Sequence, residues 1–217
     1  MRTNQEYKNE ALSRIKPNWA PLIIATIIYI LVIAVLCGTS ALPALANSAS
    51  VALGLGSTGA TFLLALFIAF PLELGFANAI RVFYESNDLD VTNNMVKFAT
   101  TNYLHKVLGM FFMGLKVALW SMLLFIPGIV MSFAYAMTPY ILEENPELSA
   151  WEASTRSREM MKGHKFDLFY LYLSFIGWFF LCILTAGIGF IWLSPYFKSA
   201  EVAFYEDLKG ATVSTAE

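Results

Sequence analysis

Between Leu168 and Phe197 the chain carries no charged residue, and that one stretch excludes most of what a chain of this size can fold into. Runs of about 18 or more apolar residues are the signature of membrane-crossing helices. Hydrocarbon offers the backbone no hydrogen-bonding partner, so only a helix or a closed barrel satisfies every N–H and C=O internally. A second run, Trp19–Leu36, repeats the pattern near the N-terminus. Composition agrees: 58% of residues are hydrophobic and 14% charged, against about 45–50% and roughly 25% in soluble domains.

The positions of the charges order the remaining segments. All 14 Lys/Arg and all 16 Asp/Glu avoid Cys37–Phe70, Phe125–Gly128 and Thr185–Gly189, which marks these as the outer connections. Basic residues collect before the first run, over Arg81–Lys106, over Arg156–Lys165 and near the C-terminus. By the positive-inside rule these segments are cytoplasmic, so both termini are expected on that side of a bacterial inner membrane. Six spans follow: Trp19–Ala41, Ala60–Tyr84, Val107–Phe125, Pro127–Leu142, Leu168–Thr185 and Ile188–Glu206. A single helix from Val107 to Leu142 would measure about 54 Å, against a hydrocarbon thickness of about 30 Å, so Pro127-Gly128 is expected to turn the chain. The last region has a second reading, one long tilted span followed by an interfacial helix; Gly187 and Gly189 favour a hairpin. A signal peptide ending near Ala44-Leu45-Ala46 is disfavoured, because the Trp19–Leu36 run exceeds the usual apolar core of about 7–15 residues.

The cytoplasmic segments echo one another. Thr3 and Lys16, Thr92 and His105, and Ser149 and Lys162 are each thirteen positions apart, and each segment leads into an apolar pair. Thr3 with Glu6 and Ser149 with Glu152 have capping-box spacing, where hydroxyl and carboxylate satisfy free N–H groups at a helix start. The expected architecture is all-α: a single integral membrane domain over 1–217, six transmembrane helices as three hairpins, each preceded by a short cytoplasmic interfacial helix, in units 1–85, 86–145 and 146–209. In the first short helix Tyr7, Ala11, Leu12 and Ile15 share a face suited to a membrane interface. The third mixes Glu152, Arg156 and methionines, and is expected to pack on protein. Small residues recur at four-residue steps: Pro71, Gly75 and Ala79; Gly128, Ser132 and Ala136; Pro195, Ser199 and Ala203. These three faces are expected to line the bundle interior, since close backbone approach drives helix association in lipid.

Few residues suggest chemistry. Gly54-Leu55-Gly56-Ser57-Thr58-Gly59 matches a dinucleotide fingerprint, which works only between a strand and a helix; here it reads as an outer linker. His105 and His164 lack the further ligands a metal site needs, and Cys37 and Cys182 are too few for a disulfide framework or a thiolate site. Glu73 and Lys116 are read as the deepest ionisable residues of the spans and as an intramembrane ion pair, because isolated charges there are costly. Tyr135, Tyr140 and Trp178 are candidate cavity residues. Glu143, Glu144, His164 and Lys165 form a candidate polar group at the cytoplasmic edge. No nucleophile elbow, zincin helix or paired catalytic carboxylates occur, so no enzyme is indicated. No cofactor is implied, and a net charge of −2 without a basic stripe excludes nucleic acid.

The strings LLFIPGI (Leu123–Ile129), AMTPYILEE (Ala136–Glu144), SREMMKGHK (Ser157–Lys165), LSFIGW (Leu173–Trp178), GIGFIWLSPY (Gly187–Tyr196) and FYEDL (Phe204–Leu208) resemble the bacterial integral membrane family called domain of unknown function 975. The first half is similar only through Pro71-Leu72-Glu73-Leu74-Gly75. The resemblance implies a multi-span bacterial membrane protein and carries over no catalytic residue, cofactor or substrate. A distant similarity to membrane domains that accompany glycerophosphodiester phosphodiesterases brings no activity either, since their soluble catalytic domain has no counterpart here. The expected function is non-enzymatic: binding lipid, peptide or a partner subunit in transport or envelope processes. The alternatives are a small-solute or ion transporter and, last, a lipid-acting membrane enzyme.

Overall fold

The computed structural model describes the backbone of residues 2–45, 51–123 and 125–214, and the side chains of 2–35, 67–119 and 128–210. All regular structure among these residues is helical: α1 (Asn4–Ile15), α2 (Trp19–Leu45), α3 (Val51–Ser86), α4 (Val91–Thr100), α5 (Tyr103–Leu123), α6 (Phe125–Tyr135), α7 (Thr138–Glu144), α8 (Ala150–Met160), α9 (Lys165–Leu173), α10 (Ile176–Leu184) and α11 (Phe190–Ser214). Three helical stretches, Asn4–Val35, Phe67–Ser86 and Lys165–Leu184, are long and apolar enough to cross a membrane. The Cys37 side chain lies outside the described residues.

The short polar helices start where their caps place them. Thr3 and Ser149 each accept from the N–H of the residue three positions on and receive a carboxylate in return, from Glu6 and Glu152. This reciprocal arrangement satisfies N–H groups that a helix start leaves unpaired. The buried face of α1 holds Tyr7, Lys8, Ala11 and Ile15, close to the expected stripe. Its partner is protein, however: α1 packs against α11 and α9, with the Tyr7 hydroxyl donating to Asp207 at 2.7 Å and the Lys8 ammonium to the Ser174 carbonyl at 2.6 Å. Helix α8 likewise buries Ala153, Ser154 and Ser157 against α5, α6 and α7, in keeping with its mixed polarity.

Helices cover all six expected apolar stretches, with different punctuation. Helix α3 begins at Val51, so Gly54–Gly59 is helical and not the expected linker. Helix α5 is described to Leu123 and α6 from Phe125, so Pro127 and Gly128 are both helical. The expected turn is therefore not made at Pro127-Gly128, and Leu124 lies outside the described residues. The fourth stretch is interrupted at Ala136-Met137 and the fifth at Ser174-Phe175, where the N–H of Phe175 reaches only three residues back, to Tyr172.

The chain reverses direction in its last apolar region. Ala186 and Gly187 have φ of 52° and 88°, and the Gly187 N–H bonds back to Cys182 C=O at 2.8 Å, a helix stop of the Schellman kind. Beyond it α10 and α11 run antiparallel: Phe179 meets Phe190, Trp178 meets Tyr196 and Phe175 meets Phe197. At Gly189 a Cβ would stand 2.8 Å from Cys182 Sγ, so the crossing needs a residue without a side chain. The chain therefore does not run on as one helix from Leu168 to Phe197.

The three small-residue faces, expected to line the bundle interior, fare differently. Pro71, Gly75 and Ala79 are buried, but against a short helix: a Cβ on Gly75 would collide with the Met95 carbonyl oxygen of α4. Ala79 is correspondingly part of the smaller core, with Ile15 at the end of α1, Leu22 and Ala25 of α2, and Val91 and Met95 of α4. Pro71 cannot donate to Phe67 C=O, and the Tyr103 hydroxyl takes that place. Pro195, Ser199 and Ala203 are also buried, yet not as one uniform backbone seam. Ala203 belongs to the larger core, which includes Tyr7 and Ala11 of the polar helix α1. Ser199, fully buried, keeps its hydroxyl without a hydrogen bond among the described residues, so it acts there as a small filler and not as polar glue. In the last face Gly128 is buried, Ala136 half-buried and Ser132 exposed, which corrects the expected inward stripe. Ser132 turns its hydroxyl onto Ile129 O at 2.7 Å, and on this part of α6 it is Ala134 and Tyr135 that are buried.

Gly75→Ala is expected to lower the melting temperature of the purified protein sharply, since the new methyl meets backbone that cannot yield. Gly114→Ala, where nothing lies within 4 Å, is expected to be neutral or to stabilise by up to about 1 kcal/mol. Equal melting temperatures for the two variants would contradict the α3–α4 contact.

Candidate functional site

Three ionisable residues on two helices converge inside the bundle. Pro71 and Gly75 seat α3 tightly against its neighbours, and Glu73 lies between them. On α11, Lys198 and Glu201 are one turn apart. The Lys198 ammonium sits 3.3 Å from Glu73 and 3.3 Å from Glu201, bridging the two carboxylates. Hydroxyls complete the cluster: Tyr29 of α2 donates to Glu73, and Tyr172 of α9 donates to Glu201 at 2.8 Å. The Lys198 ammonium approaches Glu201 at Oε2, and the Tyr140 hydroxyl lies beside the same carboxylate. Glu201 and Tyr140 are no more than 5% exposed.

A cavity of about 200 Å³ opens onto this cluster. Glu73 and Lys198 are its charged walls, and Tyr29, Phe76, Phe179, Phe190 and Phe197 supply most of the rest. The Glu73 side chain is 40% exposed, against 6% for Glu201, so the cavity reaches one carboxylate and leaves the other sealed. Tyr29 stacks on Phe76 with centroids 5.0 Å apart, which fixes the phenol over Glu73.

The expected pairing of Glu73 with Lys116 is not made. Lys116 instead places its ammonium 3.7 Å from the Trp151 ring centre and 5.5 Å from that of Tyr135, and donates to Ser154 Oγ. Equal depth along two helices is the basis for pairing them in the sequence, but depth leaves the angle around the bundle open. Helix α8 covers Lys116 with aromatic surface, whose quadrupole attracts a cation without a carboxylate. A signal for the actual partner exists: Lys198 and Glu201 fall inside the sixth expected span at i, i+3. The positive-inside reading passes over it by counting Lys198 with the basic cytoplasmic side.

Nor do Tyr135, Tyr140 and Trp178 share a cavity. Tyr140 stacks on Tyr205 at 5.2 Å, Tyr135 faces Lys116, and Trp178 lines an apolar cleft with Trp19, Trp192 and Tyr196. The expected edge group also divides. Glu143 pairs with Lys106 at 2.7 Å, Glu144 joins a separate network, His164 meets Asp167 at 3.0 Å, and Lys165 borders Phe166 and Phe169.

The Glu144 network ties α7 to α3 and α11. Its carboxylate accepts from Arg81 at 2.7 Å, Lys209 at 2.8 Å and Tyr205 at 2.7 Å. The carboxylates of Glu85, Glu144 and Glu206 all approach within 4.8 Å, with Arg81 and Lys209 placed among them. Burial pushes the Glu144 carboxyl up, and the hydrogen bonds of Lys209 and Tyr205 together with the Arg81 charge outweigh it, leaving the group below its ordinary value of 4.5.

Residues 122–212 match the family model described as Protein of unknown function (DUF975), the family that the sequence strings resemble. The matched segment includes Tyr140, Glu144, Tyr172, Lys198, Glu201 and Tyr205, while Tyr29, Glu73 and Arg81 precede it. No curated protein and no solved structure matches the chain.

The ion pairs set the expected order of mutant stabilities. Lys198→Met strands two carboxylates and is expected to cost about 3–5 kcal/mol. Adding Glu201→Gln should recover part of that loss, whereas Lys116→Met, which strands none, should cost far less. Double-mutant melting in detergent measures the order, and a larger loss at Lys116 would refute the assignment. Because the Glu144 carboxyl is held below 4.5 in the fold, its contribution to stability is present above that value and is lost as pH falls through the folded value. Melting temperature should therefore drop on acidification below about pH 4.5, less steeply in Glu144→Gln; parallel curves for the two proteins would refute it.

Proposed function

We propose that this chain is a non-enzymatic protein of the bacterial inner membrane which binds a ligand inside its helical bundle and thereby assists transport or envelope processes. In this reading the six apolar stretches cross the membrane as three hairpins with both termini cytoplasmic. Membrane lipids surround it, a partner subunit is compatible with it, and nucleic acid is not a partner.

The observation that carries the reading is the cavity at Glu73. A carboxylate exposed in a largely aromatic pocket, with one ammonium beside it, is costly to keep within apolar helices, and such a group is a functional hypothesis before it is a structural one. The outer surface supports membrane insertion. Leu184 is 80% exposed, Leu104 69% and Val35 64%; soluble proteins rarely expose contiguous apolar faces of this kind, and lipid accepts them. The charges of Arg81, Lys106, Glu143, Glu144 and Lys209 gather at the ends of α3, α5, α7 and α11 expected to be cytoplasmic.

Transport of a small solute is the second reading, favoured by Lys198 itself: an ammonium bridging two carboxylates can release one of them to an incoming ligand. An enzyme is disfavoured because Glu143, Glu144, His164 and Lys165 do not converge on one site.

Topology is tested with single cysteines in a variant lacking Cys37 and Cys182. An impermeant maleimide added outside intact cells is expected to label cysteines at Ser48 or Ser57 and to leave those at Ser149 and Ser214 unlabelled. Outside labelling at Ser214 would remove the sixth crossing.

A further inference from the structure

The charges around the cavity do not balance. Glu73 and Glu201 bring two negative charges and Lys198 one positive. Arg81, whose charge also reaches this region, is committed to Glu144 and Glu85 at 2.7 and 3.1 Å. One negative charge is left in a low-dielectric bundle, where an uncompensated ion is costly.

The cavity walls name the missing partner. Water or a bare metal ion would call for a polar lining of oxygens. Here Tyr29, Phe76, Phe179, Phe190 and Phe197 surround one reachable carboxylate, Glu73, with the Lys198 ammonium beside it. Aromatic faces combined with one carboxylate recognise organic ammonium ions: the ring quadrupoles attract the cation while the walls accept its alkyl groups. A hydrated inorganic cation gains nothing from phenylalanine that compensates for its lost water. The volume, about 200 Å³, suits a small compact ion and is too small to enclose a whole phospholipid.

We propose that the Glu73 cavity binds a small organic monocation, with Lys198 as the internal counter-ion that yields Glu73 to the ligand and withdraws onto Glu201. This rests on the reading of the cavity as a ligand site and specifies its ligand class. In the empty protein Lys198 holds both carboxylates. In the occupied protein the ligand neutralises Glu73 and the ammonium neutralises Glu201, so the charges balance without any proton moving. No covalent step is involved.

The probe is tetramethylammonium chloride, with tert-butanol as a neutral body of similar shape and sodium chloride at equal ionic strength. The full-length protein in lipid nanodiscs is melted in each, and binding is followed by titration calorimetry. Tetramethylammonium is expected to raise the melting temperature saturably, while the other two leave it unchanged. Glu73→Gln should weaken the apparent affinity by about tenfold or more. Phe179→Leu keeps every charge and opens one wall, and should weaken it severalfold; it serves if Glu73→Gln does not fold. Equal stabilisation by tert-butanol would overturn the cationic class while leaving a ligand cavity. No saturable effect of tetramethylammonium or tert-butanol would overturn both. Unchanged tetramethylammonium affinity in Glu73→Gln or in Phe179→Leu would place binding elsewhere and also reject the proposal.

Discussion

A charge in an apolar bundle must find its counter-charge within the protein, and Lys198 is the residue on which that requirement concentrates. Its ammonium joins Glu73 of α3 to Glu201 of its own helix. Through the tyrosines on those carboxylates it also involves α2 and α9. Four helices thus share one electrostatic junction. Apolar helices slide and rotate against one another at little cost in hydrocarbon, where no water is expelled by their contact. A buried ion bridge fixes rotation and register at once, because the charge is satisfied at one angle only.

The second network shows the same logic at the helix ends. Arg81, Glu144 and Lys209 join α3, α7 and α11, and Lys106 with Glu143 adds α5. Tyr140 links the two regions, stacking on Tyr205 while its hydroxyl lies beside the Glu201 cluster. The short helix α7 therefore stands between the cavity and the charged end of the bundle. Its separation from α6 at Ala136-Met137 lets it set its own direction, independent of the helix it follows.

Close backbone approach supplies what charge does not. Gly75 receives α4, and Gly189 receives Cys182. At Pro71 the backbone gives up a hydrogen bond, and Tyr103 restores it from α5. A local defect in one helix thus becomes a specific contact with another, and it sits two residues before Glu73. The cavity is held in place by this seating as much as by its own charges.

The helical class, the positions of the apolar stretches, the two capping boxes and the reversal at Ala186-Gly187 are legible in residue order, since all of them depend on neighbours a few positions away. Hydrophobic runs, hydroxyl-carboxylate spacing and glycine at positive φ act locally, so they can be read along the chain. Glu73 is legible as a residue needing a partner; which partner it takes is not. Lys116 and Lys198 both lie within the apolar stretches, and only the angular arrangement of helices around the bundle gives the glutamate to Lys198 and leaves Lys116 to Trp151. The same holds for the small-residue faces. Their spacing marks Gly75, Ala79, Ser199 and Ala203 as residues that share a side of a helix, but packing alone brings Gly75 and Ala79 to α4, places Ala203 in the core shared with α1, and turns Ser132 outward. Glu143 and Glu144, adjacent in sequence, serve different partners for the same reason. Helical periodicity fixes which residues share a face, whereas the neighbour that face meets depends on packing summed over the whole bundle.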